Sequence, residues 1–305
     1  MIRLALRVAQ RDAEIVLADL LELAPAGVEE VELPADDGRE AQVEYAIYGS
    51  PGELPELPQL HALAGGVRVQ LSSSEVPDDW AERWKRFHEP VLIEAPARMA
   101  GLGAGQSGND DAARSAASLH VRPPWEPPSQ SSEAIEIVID PAQAFGTGSH
   151  ATTRLCLELL LALAASDPAR PSVLDVGTGS GVLAIAAAKL GYSPVLALDN
   201  DPLSVKAAAA NARVAGVAID VRRHDLRSPT PSAPLVIANL LRPLLVQLAD
   251  SLERIDGRAP AHVIASGLLC EEAAEVGELL AARLDLSVRE HSERGEWAAL
   301  WLSRD

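Results

Sequence analysis

The sequence predicts an α/β chain: a doubly wound sheet with helices on both faces, preceded by a smaller α+β domain. Three observations predict it. From about residue 133 onward, strand patterns and helix patterns alternate. One of those strands, Val173 to Val176, runs straight into a glycine-rich turn that opens a helix. The first 71 residues follow another order, β-α-β-β-α-β, the ferredoxin-like split unit. A chain of 305 residues has room for two domains at ~100–200 residues each.

The elements follow in order. Residues 2–8 alternate as a strand. Residues 11–24 place Ile15, Val16, Leu20 and Leu23 at helical spacing and stop at Pro25. Val28 to Leu33 and Gln42 to Tyr48 read as strands around Asp36-Asp37-Gly38. A weak helix over 54–64 ends at Gly65-Gly66, and Val67 to Leu71 alternates again. Residues 1–96 therefore read as a recognition domain with no catalytic constellation. Residues 97–132 shift to Ala, Gly, Ser, Asn and Asp and then to Pro123-Pro124-Trp125-Glu126-Pro127-Pro128. That composition predicts a disordered insertion over 100–118, then an extended linker. Trp125 either pins the linker onto a domain or walls an active site. In the remainder, 133–305, strands are expected at 135–139, 172–176, 195–199, 218–222, 234–238, 261–266, 285–290 and 296–302. Helices are expected near 151–165, 181–190, 202–215, 240–253 and 271–283. The last two strands form a hairpin through Glu293-Arg294-Gly295.

Composition narrows the function. A net charge of −18 excludes a nonspecific binder of nucleic-acid backbone, which needs Lys and Arg. A basic protein partner fits that field. Cys156 and Cys270 stand far apart and flank no other ligand type, so neither a disulfide framework nor a zinc site is expected. The densest apolar run, Leu155 to Ala165, contains Glu158 and is too short to span a bilayer. No secretory signal is visible, and the chain reads as cytoplasmic.

Four segments carry chemistry. Gly177-Thr178-Gly179-Ser180-Gly181 lets backbone approach a ligand and offers the N–H groups of a helix start. Asp199 ends the next strand, where a carboxylate accepts hydrogen bonds from ribose hydroxyls; helix capping is the other reading. Together they point to a nucleoside cofactor without separating NAD from S-adenosylmethionine, although Val182 breaks the NAD-type glycine spacing. Asn239 ends the fourth strand and either caps the next helix or holds a substrate amine. A neutral acceptor suits an amine, because a carboxylate would favour the ammonium form, which has no lone pair. Asp140 to Thr153, with Phe145-Gly146-Thr147-Gly148 and His150, reads as a capped loop or as a lid over the cofactor.

These residues carry a resemblance. The Phe145-to-Thr153 signature, the glycine loop, Ala238-Asn239-Leu240-Leu241, Ala265-Ser266-Gly267-Leu268-Leu269 and Gly295-Glu296-Trp297 resemble the PrmA-type family. That family methylates the large-subunit ribosomal protein numbered eleven. The resemblance spans roughly 75–302. It implies a seven-stranded Rossmann-like methyltransferase sheet, a ferredoxin-like domain that grips the substrate, and S-adenosylmethionine as donor. The acceptors would be Lys side chains, an N-terminal amine or both, methylated by in-line displacement. Matching positions imply Thr153, Gly177, Asp199 and Asn239 as cofactor contacts, with Gly179 and Gly181 in the same loop. Asp225 falls where such enzymes approach the adenine, and Asn239 is the residue implied in catalysis. No metal is implied. The chain departs from the pattern at Ala151, often Pro, at Leu240, often Ile, and in the 100–118 insertion. A methyltransferase for lysines of another protein, and a noncatalytic cofactor-binding module in ribosome assembly, stay open as alternatives.

Overall fold

A computed structural model describes residues 2–10, 13, 16, 20, 28–33, 42–49, 69–75, 88–96, 118–131, 133–141, 148–254 and 259–304. The chain divides into two compact units, Met1–Phe87 and His88–Asp305.

The first unit holds β1 (Ile2–Ala9), β2 (Glu29–Leu33), β3 (Gln42–Gly49) and β4 (Gln70–Glu75) in one sheet of order β2-β3-β1-β4, with every pairing antiparallel. One face buries Leu4, Leu6, Val8, Val43, Tyr45 and Ile47 against the helical Ala13, Val16 and Leu20. The Tyr45 hydroxyl donates to the Ala13 carbonyl at 3.1 Å, so the ring's polar tip is satisfied inside that core. On β3, Glu44 lies between Arg3 and Arg7 of β1. The Arg3 hydrogen bond, the largest influence, helps hold its carboxyl below the usual range. β4 starts three residues beyond the predicted Val67. Its pairing with β1 sets that register, Arg7 opposite Gln70 and Ile2 opposite Glu75, and the serines of this edge strand are exposed. The helix expected over 54–64 lies outside the described residues.

The second unit contains a seven-stranded mixed sheet of order β10-β9-β8-β11-β12-β14-β13. Its members are β8 (Val173–Val176), β9 (Val195–Asp199), β10 (Asp220–Arg223), β11 (Leu235–Asn239), β12 (His262–Leu269), β13 (Ser287–Arg294) and β14 (Trp297–Ser303). The first five run parallel; β14 is antiparallel to both β12 and β13. Helix α1 (Ala151–Ser166) leads into β8, and α2 (Val182–Lys189), α3 (Pro202–Ala215), α4 (Arg242–Ser251) and α5 (Cys270–Leu284) connect strands that follow. Side chains two apart share a face of a strand. Val173, Leu235 and Ile237 accordingly join one core with α1 and α2, while Leu174, Val176, Val236 and Ala238 join the other with α4 and α5. Both faces are covered, which is why the central strands read as continuous apolar runs.

The chain leaves β8 toward β9 on one side, whereas β11 lies on β8's other side. That reversal opens a crevice at the C-terminal ends of the two strands.

Residues 118–131 correct the linker expectation. Here β5 (Val91–Ile93), β6 (Ser118–Arg122) and β7 (Ala134–Val138) form a separate three-stranded sheet. Leu119 and Val121 alternate with polar residues in β6 and are buried in the α1 core together with Ile93 and Ile137. The segment that follows is tied down. Glu136 accepts from Ser129 N at 2.8 Å and from Arg122 Nε at 2.8 Å, and it pairs with His120 Nδ1 at 2.9 Å. Arg122 Nη1 donates to the Glu126 carbonyl at 2.7 Å. Trp125 sits edge-on to His88, with 6.4 Å between ring centroids. It packs on His88 and is not among the residues that line the cavity at the strand ends. The expected insertion lies, apart from Ser118, outside the described residues.

Candidate active site

The glycine loop is fixed by both its backbone and its surroundings. Gly177 has φ +73°, and a Cβ there would run into the Leu240 side chain. Gly181 caps α2 at φ +86°, where a Cβ would lie 3.1 Å from the Ala208 Cα. Gly177 N and Thr178 N both donate to the Leu198 carbonyl, at 2.9 and 3.0 Å. Beneath the loop, Asp175 is fully buried. Its Oδ2 accepts from Thr178 Oγ1 at 2.6 Å and from Ala184 N at 3.2 Å, while its Oδ1 is buried and has no hydrogen-bond partner among the described residues. Burial pushes the Asp175 carboxyl up to about 7, against the lowering effect of those hydrogen bonds.

Asp199 ends β9 with its carboxylate turned onto the loop. Gly179 N donates to Oδ2 at 2.9 Å and Asp201 N to Oδ1 at 3.0 Å. The cap of α3 is Asp201, whose side chain accepts from Leu203 N and Ser204 N. Asp199 is thus free of the capping duty. Gly177, Asp199 and Asp225 come together on an open cavity of about 350 Å³, walled on its apolar side by Leu226, Leu240 and Leu244. Asp225 lies at its rim, where hydrogen bonds from Arg227 pull its carboxyl down to about 2.

Asn239 and Thr153 do not line that cavity; they join each other beside it. Asn239 Nδ2 donates to Thr152 Oγ1 at 3.1 Å and to Thr153 Oγ1 at 3.4 Å. Asn239 is half-buried, and the cap of α4 is Leu241, which makes no side-chain cap bond. The capping alternative for Asn239 therefore falls. α1 is capped by His150, and Ala151 takes its first position, one that proline also suits. Gly181 serves the turn and the packing on α3.

Asn211 is the residue that sequence reasoning missed. It is 2% exposed in the middle of α3. Its Oδ1 accepts from Asp140 N at 3.0 Å, and its Nδ2 donates to the Ser180 carbonyl at 2.9 Å. One buried amide therefore ties the start of the 140–150 segment to the glycine loop. The only local signal was a polar residue in the alanine-rich face of a helix.

Comparison with known proteins gives this arrangement a family. The model of the ribosomal protein L11 methyltransferase (PrmA) family matches residues 111–305, more than half of the chain. The chain belongs to that family. A curated relative of the same description from Pelotomaculum thermopropionicum is 39% identical over 243 residues, covering 78% of this chain and 68% of the relative. One from Myxococcus xanthus is 35% identical over 238 residues, covering 77% and 73%. The crystal structure of a ribosomal protein L11 methylase from Lactobacillus delbrueckii subsp. bulgaricus superposes with a TM-score of 0.52 at 31% identity. It covers 61% of this chain and 95% of that one. As a PrmA-family enzyme the chain is a methyltransferase, and its methyl donor is S-adenosylmethionine.

Proposed function

We propose that the chain methylates amino groups of ribosomal protein L11, on Lys side chains, the N-terminal amine or both. The observation that carries this reading is Asn239. A neutral amide ends β11 beside the glycine loop, and its N–H₂ end is taken up by two threonine hydroxyls. Its oxygen is then the group to accept an N–H from an incoming amine.

The neighbouring residues fit S-adenosylmethionine. A carboxylate offers about four acceptor positions. Two on Asp199 are used by Gly179 N and Asp201 N, which leaves acceptors for ribose hydroxyls. Leu226, Leu240 and Leu244 suit the faces of a base, with Asp225 at the edge. S-Adenosylmethionine, when bound, supplies a methyl carbon made electrophilic by a sulfonium. The chain's own work is positioning. A free Lys amine has a pKa of ~10.4, so the attacking neutral form is scarce at neutral pH. Desolvation in the crevice favours that form, and an uncharged partner at Asn239 does not oppose it.

The N-terminal unit is the recruiting element. Its antiparallel order β2-β3-β1-β4 supports a ferredoxin-like fold. Residues 1–96 hold 19 acidic and 8 basic side chains, net −11, against 25 and 18, net −7, in residues 97–305. That field attracts a basic ribosomal protein and repels nucleic acid. A ribosomal substrate sets the enzyme in the cytoplasm, and among the described residues no helix is long and apolar enough to cross a membrane. Removing residues 1–87, which follows the unit boundary, leaves cofactor affinity nearly unchanged and abolishes methylation of the intact ribosomal protein. Full activity of the truncated enzyme refutes the recruiting role. The test of the activity itself is mass spectrometry of large-subunit proteins from cells lacking this gene. The ribosomal protein should be lighter by whole methyl groups, and an unchanged mass refutes the reading.

A further inference from the structure

The Asn239 amide is backed by a short relay. Asn239 Nδ2 donates to Thr152 Oγ1, and that oxygen lies 2.8 Å from His150 Nδ1. The His150 ring packs at 65° against Trp297, with 5.2 Å between centroids. Thr152 is 2% exposed and Thr153 0%, so both partners of the amide are shielded from solvent.

The relay has a direction. The Thr152 backbone N–H also points to His150 Nδ1, at 3.4 Å. That nitrogen thus faces an N–H and a hydroxyl, and as the acceptor for both it carries no proton. Burial lowers the His150 pKa, with the Glu296 carboxylate pulling the other way, which favours a neutral ring. A hydroxyl has one proton to give. Thr152 donates it to His150 and must accept from Asn239, and only the N–H₂ end of the amide can donate. Without an acceptor at His150, the Thr152 proton is released to bond the amide oxygen. Asn239 then turns and presents N–H groups to an amine that needs an acceptor.

We infer that His150 is a positioning residue for methyl transfer. Through the Thr152 hydroxyl it holds the Asn239 amide oxygen toward the reacting nitrogen, an inference that rests on the reading of Asn239 given above.

The test uses the full chain with purified ribosomal protein and S-adenosylmethionine, measuring kcat, KM and cofactor Kd. His150→Phe keeps a ring against Trp297 and removes the acceptor. Its kcat should fall about ten- to a hundredfold, with cofactor Kd within about threefold of wild type. His150→Asn, which retains a capping oxygen near the place of Nδ1, should recover most of that loss. Thr152→Val, a near-isostere without the hydroxyl, should match His150→Phe. The double variant should be no worse than either single one, because both break one chain. Wild-type kcat in His150→Phe, or additive losses in the double variant, overturns the inference. Asn239→Ala measured alongside separates the two claims. If it loses turnover while His150→Phe does not, this inference fails and the reading of Asn239 stands. If Asn239→Ala keeps full turnover, both fail.

Discussion

Strands β8 and β11 are hydrogen-bonded neighbours, yet their C-terminal ends are built from different chemistries. On the β8 and β9 side, the glycine loop meets two carboxylates, the buried Asp175 through the Thr178 hydroxyl and the half-buried Asp199 through the Gly179 amide. On the β11 side, an uncharged amide meets two threonine hydroxyls, one of which also contacts a histidine. The first set suits a ligand held by its hydroxyls. The second suits a nitrogen that must keep its lone pair. Because the two sets touch different groups, substitutions should separate binding from turnover.

The largest separation is expected at Asn239. Asn239→Ala should lower kcat about a hundredfold while the Kd for S-adenosylmethionine moves only a few-fold. Calorimetry and initial rates read the two effects, and equal losses in both would erase the distinction. Asp199→Ala should show the converse, weakening cofactor binding by about 1–3 kcal/mol because ribose hydroxyls and Gly179 N lose their acceptor. A variant with unchanged affinity would move Asp199 out of the cofactor site.

Asn211 tests whether the loop's support matters as well as its surface. Asn211→Ala leaves Asp140 N and the Ser180 carbonyl without this partner. Unfolding stability should fall by about 1–3 kcal/mol, with weaker cofactor binding in the folded enzyme. Loss of stability with unchanged cofactor affinity would make Asn211 structural only.

The last effect is read as a slope with pH and concerns Asp175. Its folded pKa is raised to about 7, so the folded state holds the proton more tightly than the unfolded chain does. Stability from this group is present below the unfolded carboxyl pKa and declines as pH rises through the folded one. The slope is at most ~1.4 kcal/mol per pH unit. Asp175→Asn cannot ionise, so its denaturation midpoint should fall less than that of wild type between pH 5 and 8. Parallel curves would show that Asp175 is ionised in the native protein.

The two strand ends also differed in how far they could be read from sequence. The glycine loop and Asp199 form a local signal, because a strand, a tight turn and a helix start follow one another directly. The continuous apolar runs of β8, β9 and β11 are equally local, and these strands lie within about two residues of expectation. Asn211 was invisible, since its partners lie 71 and 31 residues away. The relay behind Asn239 spans 87 residues and two elements, so no window of sequence contains it. β6 reads as linker because its five alternating residues sit between a low-complexity stretch and a run of prolines. Leu119 and Val121 are buried in a core they share with residues of helices α1 and α2, which no local window of sequence contains. Asp175 was legible as part of a motif, but its role beneath the loop depends on Thr178 and Ala184 folding back over it.

The role proposed for Asn239 is that of an uncharged acceptor at the end of β11 that does not oppose the neutral form of the attacking amine. The most direct test is the pH dependence of methyl transfer by Asn239→Asp, which keeps the shape and adds a charge. A carboxylate within ~4–6 Å favours the protonated form of the amine by about 1–3 pH units. The variant should be nearly inactive at neutral pH, and its rate should rise toward alkaline pH along a curve displaced by at least about one unit from wild type. A profile superimposable on that of wild type would contradict the account.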